Sequence, residues 1–533
     1  MMDRIRQHSS WIPFAAAASI LLFCFLPAGR IPTGDAPHLL GISERLAHEF
    51  THLQWGDFSA HWLNLVAPHP PVGYLLPVGG YALGFGAYVP LFTALIALWG
   101  IWRGLVLMAT AAEVSMPWPA LLLLMACPLF WLSLSEVHWD LLAAACLSLC
   151  MGHLAASNGL ENRTHSRAFG RWMAIGFLTK YSFPAFALIP VLLTAPLVVK
   201  KRQFTGLGQS LLAFSLFAAP WLLYRGAEVI PYVFDSLNSQ SHMVDRASIS
   251  ASVDPAYYLV VLKDAFGWPG LVLLSGGVAA VRNPTGRIAL AAGVGGILVL
   301  SKMGQQEPRY MLPALPMLAF AMHCGGDALR GRLRWASWTI YLSICLPMLS
   351  FSAGANRLNA QVPAERMHEH HRASLERWGD WPRIHPSFMP VSSHPTEYGI
   401  DKALQALASH QSAEDGNVVG LMLDHTAGEL RDALFFHRAS RLGLYWDFVS
   451  LAPPPGGHGR EFGKFKGPFR SKGEAPSRFK LLYAAYKSGD RTREAWLQAH
   501  GAQVLSTIAL PNNFKGEIIR LTDWVETDQE GMQ

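Results

Sequence analysis

Residues 11–28 read WIPFAAAASILLFCFLPA and carry no charge. Such a run suits a bilayer, where no water satisfies the backbone and a helix closes its own hydrogen bonds. Comparable runs recur at 87–111, 118–134, 138–156, 168–180, 181–199, 208–225, 257–281, 287–302, 308–325 and 335–353. Several fall short of the ~20 residues of a straight span, and 168–199 also reads as one long tilted helix. The pattern predicts an α-helical polytopic membrane protein with about eleven transmembrane helices. Because further runs follow the first, a retained span is expected rather than a cleaved signal peptide, for which AGRIPTG is a weak cleavage site.

Only 15% of the 533 residues are charged, against roughly 25% in soluble domains. The shortfall is confined to residues 1–353, whereas 354–533 have soluble composition. Two parts are therefore expected: a membrane domain, 1–353, and a soluble α/β domain, 354–533. In the second, NVVGLMLD and AQVLSTIAL read as buried strands, and SRFKLLYAAYKSGDRTREAWLQAHG as a helical pattern ending at a glycine cap. APPPGGHGREFGKFKGPFRSKGEAP reads as a surface loop, or as a basic contact for an anionic headgroup or glycan. All six cysteines lie in apolar runs, so they are packing residues and not a disulfide framework.

Charge orients the spans. Arg4 and Arg6, the Arg163–Arg167–Arg171 loop, Lys200–Lys201–Arg202, Arg282 with Arg287, and Arg330–Arg332–Arg334 all fall on one side of an eleven-span chain. The positive-inside rule makes that side cytoplasmic and puts the N-terminus inside. The net charge of +6 is then a property of these loops and implies no nucleic-acid partner. The opposite, outer face receives the loop 29–86, the turns near 136, 180 and 302–309, the loop 226–256 and the C-terminal domain.

Ionisable side chains collect on that outer face, where burying them is costly and their presence points to function. The first loop holds Asp35, His38, Glu44, Asp57 and His69; SEVHWD holds Glu136, His138 and Asp140; FLTKYSFP holds Lys180 and Tyr181; SKMGQQEPRYMLPALP holds Lys302, Glu307, Arg309 and Tyr310. Acids lead and cations follow, so converging turns would give a pocket with carboxylates on one wall and Lys/Arg on the other. A carboxylate beside cations at the water–lipid boundary suits group transfer from a lipid phosphate. The acceptor hydroxyl needs a base, while a phosphate leaving group needs only positive charge. Glycoside hydrolysis differs, since its leaving group must be protonated by a second carboxyl.

The ordered set TGDAPHLL, WGDFSAHWLNLVAPHPPVGYLLP, EVHWDLLAAA, FLTKYSFPAFALIP and PRYMLPALP, spread over about 320 residues, resembles the GT-C glycosyltransferases. The likeness is to the bacterial branch related to protein O-mannosyltransferases and lipid A aminoarabinose transferases. It implies transfer of a sugar, with inversion, from a polyprenyl-phosphate donor to a lipid, polysaccharide or protein hydroxyl at the outer face of a bacterial inner membrane. It also implies roles: Asp35 as catalytic base, Lys180 and Arg309 on the donor phosphate, Tyr181 and Tyr310 lining the site, and His69 fixing the outer loop. Asp57, Glu136, Asp140 and Lys302 are supporting candidates. The chain departs from the family at its first motif, where Asp35 is followed by Ala36 and Pro37 rather than a second acid. A one-base mechanism survives this. No cofactor is called for, and no residue is assigned to a metal, although a divalent cation beside the carboxylates stays open.

Each residue also has a plainer reading. Asp35 before Pro37 fits a helix N-cap, Lys180 and Arg309 fit interfacial anchors, and His69 before two prolines fits a turn. Trp131, Trp139, Trp221 and Trp268 fit an aromatic belt. Two other functions compete: a transporter or flippase for lipid-linked sugars, and a zinc protease. The latter rests on HEFTH, where His48, Glu49 and His52 match H-E-x-x-H without an evident third ligand.

Overall fold

In the computed structural model, the residues described are 11–25, 36–63, 65, 70–135, 137–238, 258–259, 261–262, 282–302 and 308–328, with isolated helical positions between 336 and 349. Toward the C-terminus they are 400–412, 418–423, parts of 435–452, 463–464, 478–487, 497–499, 501–510 and 514–526. Asp35, His69, Glu136, Glu307 and Trp268 lie outside them.

Helix α1 spans Trp11–Phe25. The segment that follows, expected as an outer loop, is largely helical: α2 is Ala36–Thr51, α3 Trp55–Leu63 and α4 Val72–Ala82. In α2, Leu39, Ile42, Leu46 and Ala47 recur at helical spacing and are buried, so the helix forms by packing one stripe.

The next helices are α5 Val89–Ala112, α6 Trp118–Ala126, α7 Pro128–Ser135, α8 Trp139–Ala156, α9 Arg163–Thr179, α10 Pro184–Lys200, α11 Phe204–Asn238, α12 Pro284–Leu300 and α13 Ala314–Asp327. Among the described residues, three stretches are long and apolar enough to cross a membrane unaided: Gly86–Ala112, Trp139–Ala156 and Phe204–Pro231. Helices α5 and α8 approach at small residues. A Cβ on Gly104 would strike the Ser148 backbone, so only glycine allows this contact. Helix α11 exposes Leu207, Leu211, Leu212, Leu216, Phe217 and Leu223. That apolar surface is a liability in water and fits lipid.

Two expectations are revised. The run 118–134 breaks into α6 and α7 because Cys127, which precedes Pro128, is pushed to the extended region at ψ 118°. The break leaves the Met125 carbonyl to accept from Trp131 Nε1 at 2.5 Å, so Trp131 is buried and not part of a belt. The stretch 168–199 is two helices, as the separate runs 168–180 and 181–199 predict and not one long tilted helix, split at Lys180–Phe183.

In the C-terminal part, strands β1 Val418–Leu423, β2 Asp447–Ala452, β3 Gly463–Lys464, β4 Arg478–Lys487, β5 Gln503–Ala509 and β6 Phe514–Glu526 form one mixed sheet. The order is β3-β2-β1-β4-β6-β5, with β1 parallel to β2 and β4 and the other pairs antiparallel. Helix α14, Ile400–His410, packs on it. The strands expected at NVVGLMLD and AQVLSTIAL are present. The expected helix over SRFKLLYAAYK is instead β4, a central strand whose Leu481, Leu482, Tyr483, Ala484 and Ala485 are all buried. A strand covered on both faces reads as a continuous apolar run, and its periodicity does not distinguish it from a helix. Among the described residues of that stretch, helix is found at 497–499, before Gly501 at φ +60°. The sheet residues Leu481, Tyr483 and Ile518 share one apolar cluster with Leu39, Ile42 and Leu46 of α2 and Tyr74 of α4.

Candidate active site

Three breaks in helix meet at one place. His138, extended at φ −114° and ψ 138°, precedes α8, whose first turn carries Asp140. Lys180 ends α9 in an extended conformation, and its carbonyl accepts from Phe183 N at 2.9 Å to close a tight turn into α10. Pro184, with φ preset for a first helical turn, starts α10. A Cβ on Gly176 would strike the Phe183 ring, so glycine sets how closely that turn folds back. Arg309 and Tyr310 lie in the 3-10 turn Pro308–Met311 before α13.

Lys180 Nζ donates to Asp140 Oδ1 across this junction. It also stands 4.0 Å from the centroid of the Tyr310 ring. Arg309 Cζ lies 5.7 Å from the same ring, and its Nη1 is 3.4 Å from His138 Nδ1. Both cations thus approach one aromatic ring, whose π-electrons attract each of them. Tyr181 is buried, and its hydroxyl accepts from Trp221 Nε1 at 2.9 Å. Trp221 is therefore a site-wall residue of α11 and not a belt residue. Helix α4 closes on the junction as well. Gly73 lies so near the Trp139 ring that a Cβ there would collide with it, and Tyr74 meets Trp139 edge-on at 5.5 Å.

The structure brings together Asp140, Lys180, Tyr181, Arg309 and Tyr310. It does not segregate acid from base as expected. Asp140 is 4% exposed and Lys180 16%, and charges taken that far from water pair directly. Lys302 and Asp57 are exposed, and among the described residues no contact joins either to the junction. Sequence reading names His138 without giving it a role, takes Trp221 for a belt residue and misses Arg225. Arg225 Nη1 donates to the Leu63 carbonyl at 2.9 Å and pairs with Glu228 at 2.6 Å, fastening α11 to α3. No sequence signal distinguishes these long-range partners from ordinary span-end residues.

The HEFTH residues are arranged otherwise than a zinc protease needs. Glu49 is buried, and its Oε1 accepts from Arg45 Nε at 3.2 Å and His61 Nδ1 at 2.7 Å. His52, in the turn after α2, has its Nδ1 2.9 Å from the His48 carbonyl. No group of three metal-ligating side chains occurs among the described residues.

No protein-family model matches the chain. A GPI mannosyltransferase 4 of Eremothecium gossypii is 23% identical over 303 residues, covering 55% of this chain and 56% of that protein. The chain thus spans about half the length of this curated relative. The crystal structure of ArnT from Cupriavidus metallidurans bound to undecaprenyl phosphate aligns with TM-score 0.59 and 16% identity, over 95% of this chain and 97% of that one. Its apo structure aligns equally well, over 96% and 98%. Near-complete coverage of both chains takes in the membrane helices and the C-terminal sheet alike, and the chain has the GT-C fold of an ArnT-like protein.

Proposed function

We propose that this chain is an integral-membrane glycosyltransferase that moves a sugar from a polyprenyl-phosphate donor to an acceptor hydroxyl. The carrying observation is the junction itself, where Lys180 and Arg309 flank Tyr310 and Asp140 holds Lys180 in place. In this reading Lys180 and Arg309 neutralise the donor phosphate, and Tyr181 and Tyr310 wall it in. Asp35 accepts the acceptor's proton as the acceptor oxygen attacks the anomeric carbon. The carbon–phosphate-oxygen bond breaks, its electron pair leaves with the polyprenyl phosphate, and the anomeric centre inverts. The two names above support the donor class: ArnT is seen with undecaprenyl phosphate, and the curated relative is a mannosyltransferase. The eleven-span arrangement, the 1–353 and 354–533 division, and a site on the periplasmic face of a bacterial inner membrane belong to the same proposal. The acceptor is a lipid, glycan or protein hydroxyl.

The reading is tested by binding a fluorescent polyprenyl phosphate to the purified protein in nanodiscs. Lys180→Met should weaken binding about tenfold or more, the loss of one charge-assisted contact. Unchanged binding by both Lys180→Met and Arg309→Met would overturn it.

A further inference from the structure

We propose that the C-terminal sheet carries a separate oxyanion site, a cleft that takes a phosphate group borne on a saccharide-sized ligand. The β4–β6 ladder runs in register from Lys487↔Phe514 to Leu481↔Arg520 and resumes only at Phe479↔Val525. Residues 521–524 of β6 therefore bulge opposite Lys480 alone. Bulges of this kind re-aim side chains and recur beside functional sites. A second register shift, between Val504 and Ser506, disturbs β5 against β6 at the same corner of the sheet.

The two irregularities open a cavity of about 280 Å³ lined by Ser412, Lys480, Gln503, Arg520 and Thr522, with Gly501 and Leu521. Both charged residues of that lining are cations. Arg520 is held rigidly, because its Nη2 donates at 2.6 Å to the His410 carbonyl at the end of α14. Gln503 pairs with Arg520 across the ladder, so the two side chains share a face. Thr522 donates to the Gly501 carbonyl at 2.9 Å and closes the rim.

A guanidinium, an ammonium, an amide and a hydroxyl converge from two strand pairs and a helix end. Donors spread in this way suit a tetrahedral oxyanion better than a planar carboxylate, which one arginine fork satisfies. The volume is near the roughly 300 Å³ lower end of small-ligand pockets, which suits a phosphorylated sugar and not a whole lipid. No residue is shared with the Lys180 junction, so this site stands or falls apart from the transfer reaction.

The test is equilibrium dialysis of radiolabelled inorganic phosphate against the full-length protein in phosphatidylcholine nanodiscs. Lys180→Ala removes phosphate held at the membrane junction, and Lys480→Gln and Lys480→Arg probe the cleft. The expected result is one saturable site that persists in Lys180→Ala, weakens about tenfold or more in Lys480→Gln, and is retained in Lys480→Arg. Phosphatidate in the nanodiscs then separates the sources. No displacement of phosphate is expected and keeps the saccharide-borne ligand; displacement marks a lipid headgroup and overturns it. Loss of all binding in Lys180→Ala, or wild-type binding by Lys480→Gln, overturns the proposal.

Discussion

Lys180 and Asp140, 40 residues apart in the chain, form an ion pair that joins the end of one helix to the start of another beneath the Tyr310 ring. Breaking a buried pair from one side leaves a charge stranded at a cost of about 3 kcal/mol. Asp140→Asn should therefore destabilise the protein by about that much, while Asp140→Asn with Lys180→Met should recover most of the stability and none of the transfer. Denaturant midpoints and transfer rates across the double-mutant cycle test this. Additive losses of stability would contradict a direct pair.

The Trp221–Tyr181 hydrogen bond ties α11 to the same turn. Trp221→Phe and Tyr181→Phe should each cost about 1 kcal/mol, and the double variant little more than either alone. Thermal unfolding of the three variants supplies the comparison.

Gly176 is matched to Phe183 by contact, since any Cβ would enter the ring. Gly176→Ala should overpack the turn by about 1–3 kcal/mol and displace Lys180. Donor binding should fall with it. Adding Phe183→Leu makes room and should restore binding in part; no rescue would mean that the glycine acts otherwise.

Burial, and then the neighbouring His52, hold the His48 imidazole below its ordinary range, against a smaller opposing pull from Glu49. A histidine whose folded value is depressed binds fewer protons folded than unfolded. Its contribution is fully present above the unfolded value, near 6.5, and is lost as pH falls through it toward the folded value. Helix α2 should therefore exchange its amides faster at pH 5.5 than at pH 7.5, after correction for intrinsic rates. His48→Gln should flatten that difference. Hydrogen-exchange mass spectrometry of peptides from α2 measures it.

The helical membrane part was legible because a bilayer imposes long uncharged runs, and α1, α5 and α8 fall close to their expected limits. The break at Cys127–Pro128 was legible in principle from proline sterics but was overridden by the continuity of the apolar run. The outer segment lost its helices in reading because α3 and α4 are short and Gly- and Pro-containing. β4 was misread because a strand buried on both sides has no alternation. Lys180, Arg309 and Tyr310 stood out as ionisable or polar groups at span ends, where burial is costly. The partners of Trp221 and His138 did not, because they lie 40 and 171 residues away.

The most direct test of the central claim is the glycan and lipid inventory of cells carrying Asp35→Asn, compared with wild type and a null, with membrane levels of the protein matched. The account expects the variant to be present at normal level while its glycoconjugate profile equals that of the null, so that the missing sugar names the substrate. A wild-type profile from Asp35→Asn would contradict it and remove Asp35 as the base.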